Sequence, residues 1–190
     1  MQFTPTGLAD AWIIDQQRIE DHRGFFARSW CESEFRQHGL NPHVTQRNVG
    51  YNHKQGTLRG LHFQLSPDLE AKVLSCTRGA VYDVIVDLRP DSPTFCRWVG
   101  VELTAGNGRM LYAPEGFAHG YQTLADETEF QYLATAPFAP KSARGVRYDD
   151  PAFGITWPVP ITNMSDADRN WPALDPLMLN FTPVAGKSGA

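Results

Sequence analysis

The stretch "AVYDVIVDL", residues 80–88, alternates without a break. Val81, Asp83, Ile85 and Asp87 point one way, and Tyr82, Val84, Val86 and Leu88 point the other. This is the two-residue period of a β-strand. It is one of a series. AWIID, HVTQRNV, TLRGLHFQ, AKVLSCT, RWVGVEL, RMLYAP, AHGYQTL and TEFQYLA are also short and rich in Val, Ile, Leu, Phe and Tyr, with Gly, Pro, Asn and Asp between them. Many short strands at regular spacing predict an all-β sandwich or barrel. One short helix is expected near the N-terminus, where Ser29 and Glu32 form a capping-box pattern ahead of ESEFRQH and Gly39 offers a C-cap. From Pro137 onward Pro and Gly thicken, which predicts an irregular C-terminal segment that wraps the barrel rather than extending it. A single domain is expected over residues 1–183, with a mobile tail at 184–190.

Composition narrows the function. The chain has 190 residues, 42% of them hydrophobic and 20% charged, the profile of a soluble globular protein. Its net charge is −4, and no Lys/Arg run stands out, which argues against nucleic acid or an anionic membrane as partner. The longest apolar runs are far shorter than a membrane span. The first residues lack a basic region followed by an apolar one, so no secretory signal is expected. Cys31, Cys76 and Cys96 are odd in number and unpatterned, which suits free thiols in a reducing compartment. A cytoplasmic location is the expectation.

Two stretches carry chemistry. TLRGLHFQ, residues 57–64, has a strand's apolar residues but also Arg59 and His62, which a core does not favour. Strict alternation puts these two on opposite faces, and Gly60 between them offers a bulge or bend. PEGFAHG, residues 114–120, has Pro114, Gly116 and His119 in a P-x-G-x-x-H pattern similar to the second motif of the cupin barrels. Metal-binding cupins complete that His with an H-x-H strand and a Glu. The corresponding stretch here is His62, Phe63, Gln64, so the ligand set is broken, and no metal is expected.

The separated stretches DHRGFF (21–26), QRN (46–48), LRGLHFQ (58–64), AKVL (71–74), DLRPDSPTF (87–95), PEGFAHG (114–120), the Tyr132 strand, YDDPAFGITWP (148–158) and SDAD (165–168) occur in order. Together they resemble the dTDP-4-dehydrorhamnose 3,5-epimerases, from about Ile19 to Pro172. The resemblance implies a cupin-type jelly roll, a homodimer, and catalysis without a metal or redox cofactor. It also implies site roles. His62 matches the general base, Asp168 the carboxylate that orients it, and Tyr132 the general acid. Lys72 and His119 match residues lining the sugar pocket, and Arg23 and Arg59 match contacts to the nucleotide diphosphate. Gln46 and Asn48 match polar substrate contacts, and Phe26, Arg28 and Phe138 are further substrate-binding positions.

The chemistry is coherent on physical grounds. A 4-keto sugar acidifies the C–H bonds beside its carbonyl. A base removes one proton, a positive group such as Lys72 stabilises the enolate oxygen, and an acid on the opposite face returns a proton and inverts the centre. A His managed by an Asp suits the base. The expected substrate is a nucleotide-linked 4-keto-6-deoxyhexose, with carbon 3, carbon 5 or both inverted, in the synthesis of a deoxysugar for a surface polysaccharide or a glycosylated metabolite. The rivals are a metal-dependent cupin oxygenase and a non-catalytic sugar-nucleotide-binding cupin.

The resemblance has departures. The family usually reads R-G-x-F-x-E in its first stretch, and that Glu contacts thymine. Here the run is Arg23, Gly24, Phe25, Phe26, Ala27, Arg28. Ala143 and Ala167 stand where an acidic residue and a Lys are usual. Thymine offers a ring N–H that a carboxylate accepts, whereas cytosine offers acceptors and Arg has only donors. Arg28 therefore suits a CDP-linked sugar, as the alternative to a dTDP-linked one.

Overall fold

The computed structural model describes residues 1–182, and the tail expected at 184–190 lies outside the described residues. The elements run β1 (Gln2–Pro5), β2 (Trp12–Asp15), β3 (Ile19–Asp21), β4 (Gly24–Phe26), α1 (Glu32–Gln37), β5 (Gln46–Asn52), β6 (Leu58–Gln64) and β7 (Lys72–Arg78). There follow β8 (Ala80–Asp87), β9 (Trp98–Thr104), β10 (Met110–Ala113), β11 (Phe117–Thr123), β12 (Thr128–Ala134), β13 (Ala143–Gly145) and α2 (Asp166–Arg169). One sheet has the order β1-β2-β10-β7-β12-β5, a second has the order β13-β6-β11-β8-β9, and β3 and β4 form a separate hairpin. Neighbouring strands are antiparallel. This is the predicted all-β jelly roll, and no described helix is long and apolar enough to cross a membrane.

Strand β8 shows why the fold closes. Its inward Val81 and Ile85 join Leu74, Val101, Leu103, Leu111, Phe117, Tyr121 and Phe130 in the core between the sheets. Its other face, Val84, Val86 and Leu88, packs with Leu61, Phe63, Val146 and Phe153, and with Ile155, Trp157 and Leu174 beside them. The C-terminal segment thus covers the second sheet. Each such aliphatic side chain contributes about 1.5–3 kcal/mol on burial, so the wrap is an energetic part of the fold. Asp87 ends the strand as an acceptor for Arg89, Ser92 and Thr94.

Three local expectations are corrected. The N-cap of α1 is Cys31, which makes no side-chain cap bond, and Ser29 lies outside the helix. The helix phase is set instead by Phe35, fully buried among Phe3, Trp30 and Tyr112. At the other end Gly39 takes φ +71, and Leu40 N–H donates to Phe35 O, so the glycine closes the helix as expected. The C-terminal segment does extend a sheet, because Ala143–Gly145 adds β13 beside β6. It also holds a second helix, α2, whose N-cap Ser165 accepts from Asp168 N–H.

The tension in β6 resolves as a bulge. His62 lies opposite His119 and Arg59 opposite Tyr121, with a register shift between the two pairs. Three residues of β6 therefore span two of β11, and Arg59 and His62 share the inward face. Gly60 takes φ +122, and a Cβ there would lie 2.6 Å from the Cα of Gly120. Only a glycine fits, because the two backbones touch.

Candidate active site

Register places the site residues on facing surfaces. Directly opposed residues share a face, as do residues two apart on one strand. In the β6–β11 sheet, His62, His119 and Arg59 therefore look inward. In the other sheet, Tyr132 lies between Asn48 and Leu74, and Ala134 lies between Gln46 and Lys72. Gln46, Asn48, Lys72, Phe130 and Tyr132 thus share that sheet's inner face. The faces meet where the His119 ring stacks on Phe130, with centroids 5.7 Å apart.

His62 binds Asp168 through Nε2, at 2.6 Å from Oδ1. The imidazole side chain is 45% exposed and the carboxylate 6%. With Nε2 engaged, Nδ1 is the nitrogen left to take a proton. Asp168 is held in turn. Trp171 Nε1–H donates to its Oδ1 at 3.2 Å, and α2 starts on Ser165 just before it. Burial pushes the Asp168 carboxyl up, but the His62, Ser165 and Trp171 hydrogen bonds outweigh this and leave it below the ordinary carboxylate range. It remains an ion and so stays an acceptor for His62 Nε2–H. Gly145, opposite His62 on β13, makes room for Trp171: a Cβ there would lie 2.3 Å from the indole.

A second pair lies alongside. His119 Nε2 is 2.7 Å from Asp83 Oδ1, with the His side chain 8% exposed and the Asp fully buried. Asp83 Oδ2 has no hydrogen-bond partner among the described residues. Burial raises this carboxyl above its ordinary value by more than His119 and Lys72 bring it down.

Tyr132 and Lys72 occupy the facing sheet. Burial and the nearby Glu70 charge raise the Tyr132 phenol, against a hydrogen bond with Asn48 that lowers it. A phenol so placed keeps its proton and can give it as an acid. The Lys72 ammonium is 5.8 Å from the Tyr132 ring centroid and 2.9 Å from Glu70 Oε1. Gln46 Oε1 accepts from Phe138 N–H, which ties the strand to the exposed Phe138 loop.

Arg59 is exposed on its strand. Its Nε–H donates to Asn52 Oδ1 at 2.9 Å, and Asn52 Nδ2 in turn donates to Tyr121 Oη. The hairpin residues stand apart from this cluster. Arg23 bonds Asp21 within the hairpin, Phe26 is 74% exposed, and Arg28 pairs with Glu34 of α1 at 2.8 Å. Gln64, in the place of a second metal-binding His, donates to the Asp68 and Pro137 carbonyls and accepts from Ala139 N–H. Sequence reasoning missed Asp83, Glu70 and Trp171. Asp83 had a signal, since it is a charge in the same phase as Val81 and Ile85. Glu70 and Trp171 had none before the chain was folded.

Comparison with known proteins identifies the family and its fold. The family model for dTDP-4-dehydrorhamnose 3,5-epimerase matches residues 5–176. A dTDP-4-dehydrorhamnose 3,5-epimerase of Sinorhizobium fredii (strain NBRC 101917 / NGR234) is 41% identical over 97% of this chain and 95% of its own. The crystal structure of the Bacillus anthracis str. Ames enzyme of that name, with TDP and PPi bound, superposes with a TM-score of 0.88 at 40% identity, over 91% of this chain and 99% of that one. A dTDP-6-deoxy-D-glucose-3,5-epimerase of Legionella pneumophila Philadelphia 1, in complex with dTDP-4-keto-L-rhamnose, also gives 0.88, at 33% identity over 96% and 99% of the two chains.

Proposed function

This chain belongs to the dTDP-4-dehydrorhamnose 3,5-epimerase family, and on that premise we propose that His62 and Tyr132 exchange protons with opposite faces of one sugar ring. The protein is an enzyme, an epimerase of a nucleotide-linked 4-keto-6-deoxyhexose acting in deoxysugar biosynthesis. His62, held through Nε2 by Asp168, uses Nδ1 to take the proton beside the carbonyl. The C–H electron pair moves into the ring as an enolate, and its oxygen is met by the Lys72 ammonium. Tyr132 returns a proton to the same carbon from the other side, which inverts it. The observation that carries this reading is the placement of a half-exposed His62, held by a buried Asp168, and a protonated phenol on facing sheets.

The test is proton NMR of a dTDP-4-keto-6-deoxyhexose in deuterated water. Wild type exchanges and inverts carbon 3, carbon 5 or both. Tyr132→Phe loses about a hundredfold in epimerisation but keeps exchange, because the base still forms the enolate. Inversion by Tyr132→Phe at the normal rate refutes the assignment.

For the base we favour thymine, given the TDP and dTDP-sugar complexes of the relatives. A CDP-linked substrate is the second reading, because Arg28 keeps an exposed guanidinium where a carboxylate is usual. Calorimetry with CDP and dTDP separates the two, and a dTDP preference unchanged in Arg28→Glu ends the CDP reading. We also infer a homodimer. Ile19, Phe25 and Phe26 leave large apolar side chains on the hairpin 72%, 53% and 74% exposed, a surface that a second copy would cover. Sedimentation at a monomer mass refutes that inference.

A further inference from the structure

Glu70 lies beside the reacting groups, and neither motif nor mechanism accounts for it. Its Oε1 is 2.9 Å from Lys72 Nζ, and the two side chains are only 11% and 10% exposed. The residue between them is clamped at both backbone groups: Ala71 N–H donates to Thr135 Oγ1, and Ala71 O accepts from Thr135 N–H. The pair is therefore fixed to the strand that carries Tyr132 two residues earlier than Ala134. A second buried carboxylate faces the same interior. Asp83 shares the inward face of the opposite sheet, its Oδ2 is buried without a donor among the described residues, and the Lys72 charge acts on it.

We propose that Glu70 is a positioning residue for the reaction. It holds the Lys72 ammonium beside Tyr132, where the enolate oxygen develops, and keeps it from the orphaned oxygen of Asp83. An ammonium on a four-carbon stem is flexible. Without a fixed partner it turns to whichever buried carboxylate lacks a donor, because a bare one is costly. Glu70 removes that choice before substrate binds, so the positive charge is already in place when charge develops. This inference rests on the reading of Lys72 as the enolate stabiliser.

The test compares Glu70→Ala, Glu70→Gln and Lys72→Ala for solvent exchange at the carbons beside the carbonyl, with melting temperature as the folding control. Glu70→Ala is expected to lower kcat for exchange by about tenfold, as a displaced charge does, with KM within about twofold. Glu70→Gln keeps an acceptor oxygen for Lys72 and is expected to recover most of the rate. Full kcat in folded Glu70→Ala overturns the proposal. So does an equal loss in both Glu70 variants that tracks their melting temperatures. If Lys72→Ala loses exchange while Glu70→Ala does not, only the role of Glu70 fails. If Lys72→Ala exchanges normally, the reading of Lys72 fails, and this proposal fails with it.

Discussion

Two His–Asp pairs sit opposite each other on β6 and β11, with nearly equal hydrogen bonds of 2.6 and 2.7 Å. Their surroundings differ. His62 is 45% exposed and His119 is 8%. Asp168 takes hydrogen bonds from His62 and Trp171, while among the described residues Asp83 has His119 alone and an oxygen left over. Their carboxyls consequently shift in opposite directions, Asp168 down and Asp83 up. A His–Asp contact alone therefore does not mark a base. Access for the substrate and an environment that keeps the carboxylate charged distinguish one pair from the other. His119–Asp83 is better suited to forming the rigid wall of the pocket, with its ring stacked on Phe130.

The sharpest break in this contrast is removal of each imidazole. His62→Ala is expected to lower kcat by about 10³–10⁴-fold and to abolish deuterium exchange. His119→Ala is expected to act mainly on KM and melting temperature. Equal losses of exchange in the two variants would make the pairs equivalent. Next comes the carboxylate. Asp168→Asn keeps the shape but removes the charge that supports the imidazolium, and a loss of roughly 10³-fold in kcat is expected, read by steady-state kinetics. Smaller again is Gly145→Ala. Its Cβ displaces Trp171, loosens Asp168, and should lower kcat about tenfold with an unchanged Kd for nucleotide. Unchanged kcat in that variant would show that the indole is not needed to hold the dyad.

The smallest expected effect is on stability against pH, and here the pairs have opposite signs. The Asp168 carboxyl is lowered in the fold, so its stabilisation is present above the ordinary value of 3.8 and is lost as pH falls through the lowered one. The Asp83 carboxyl is raised, so its stabilisation is full below 3.8 and declines as pH rises through the raised value. Denaturant melts at a series of pH values should show Asp83→Asn gaining on wild type as pH rises, whereas Asp168→Asn falls behind. Parallel curves for the two variants would deny the difference in environment.

Much of this was legible in the sequence. The alternation in AVYDVIVDL gave β8 and its two faces, and LRGLHFQ and PEGFAHG gave the paired histidines. What periodicity alone could not show depends on distance along the chain. His62 and Asp168 are 106 residues apart, and only the family resemblance paired them, because periodicity says nothing about which loop returns to which strand. The short helix that presents Asp168 is a single turn, too brief to leave a periodic trace. Ser29 looked like a cap because the pattern fitted, yet burial of Phe35 fixed the helix two residues later. The bulge at Gly60 was foreseeable as a possibility, but its form depended on a neighbour, Gly120, that only folding brings near.

That neighbour has a further consequence. Between the strands that carry His62 and His119 there is no side chain at Gly60 and Gly120, only backbone against backbone. Side chains can change rotamer to admit a larger molecule, but touching backbones are a fixed stop. The spacing of the two strands that present His62 and His119 to the pocket is therefore set to a single gauge. Room for a bulkier sugar has to come from the other boundaries, from β5 with Gln46 and Asn48 or from the exposed loop at Phe138. Libraries intended to broaden the substrate range should vary those positions and leave both glycines alone.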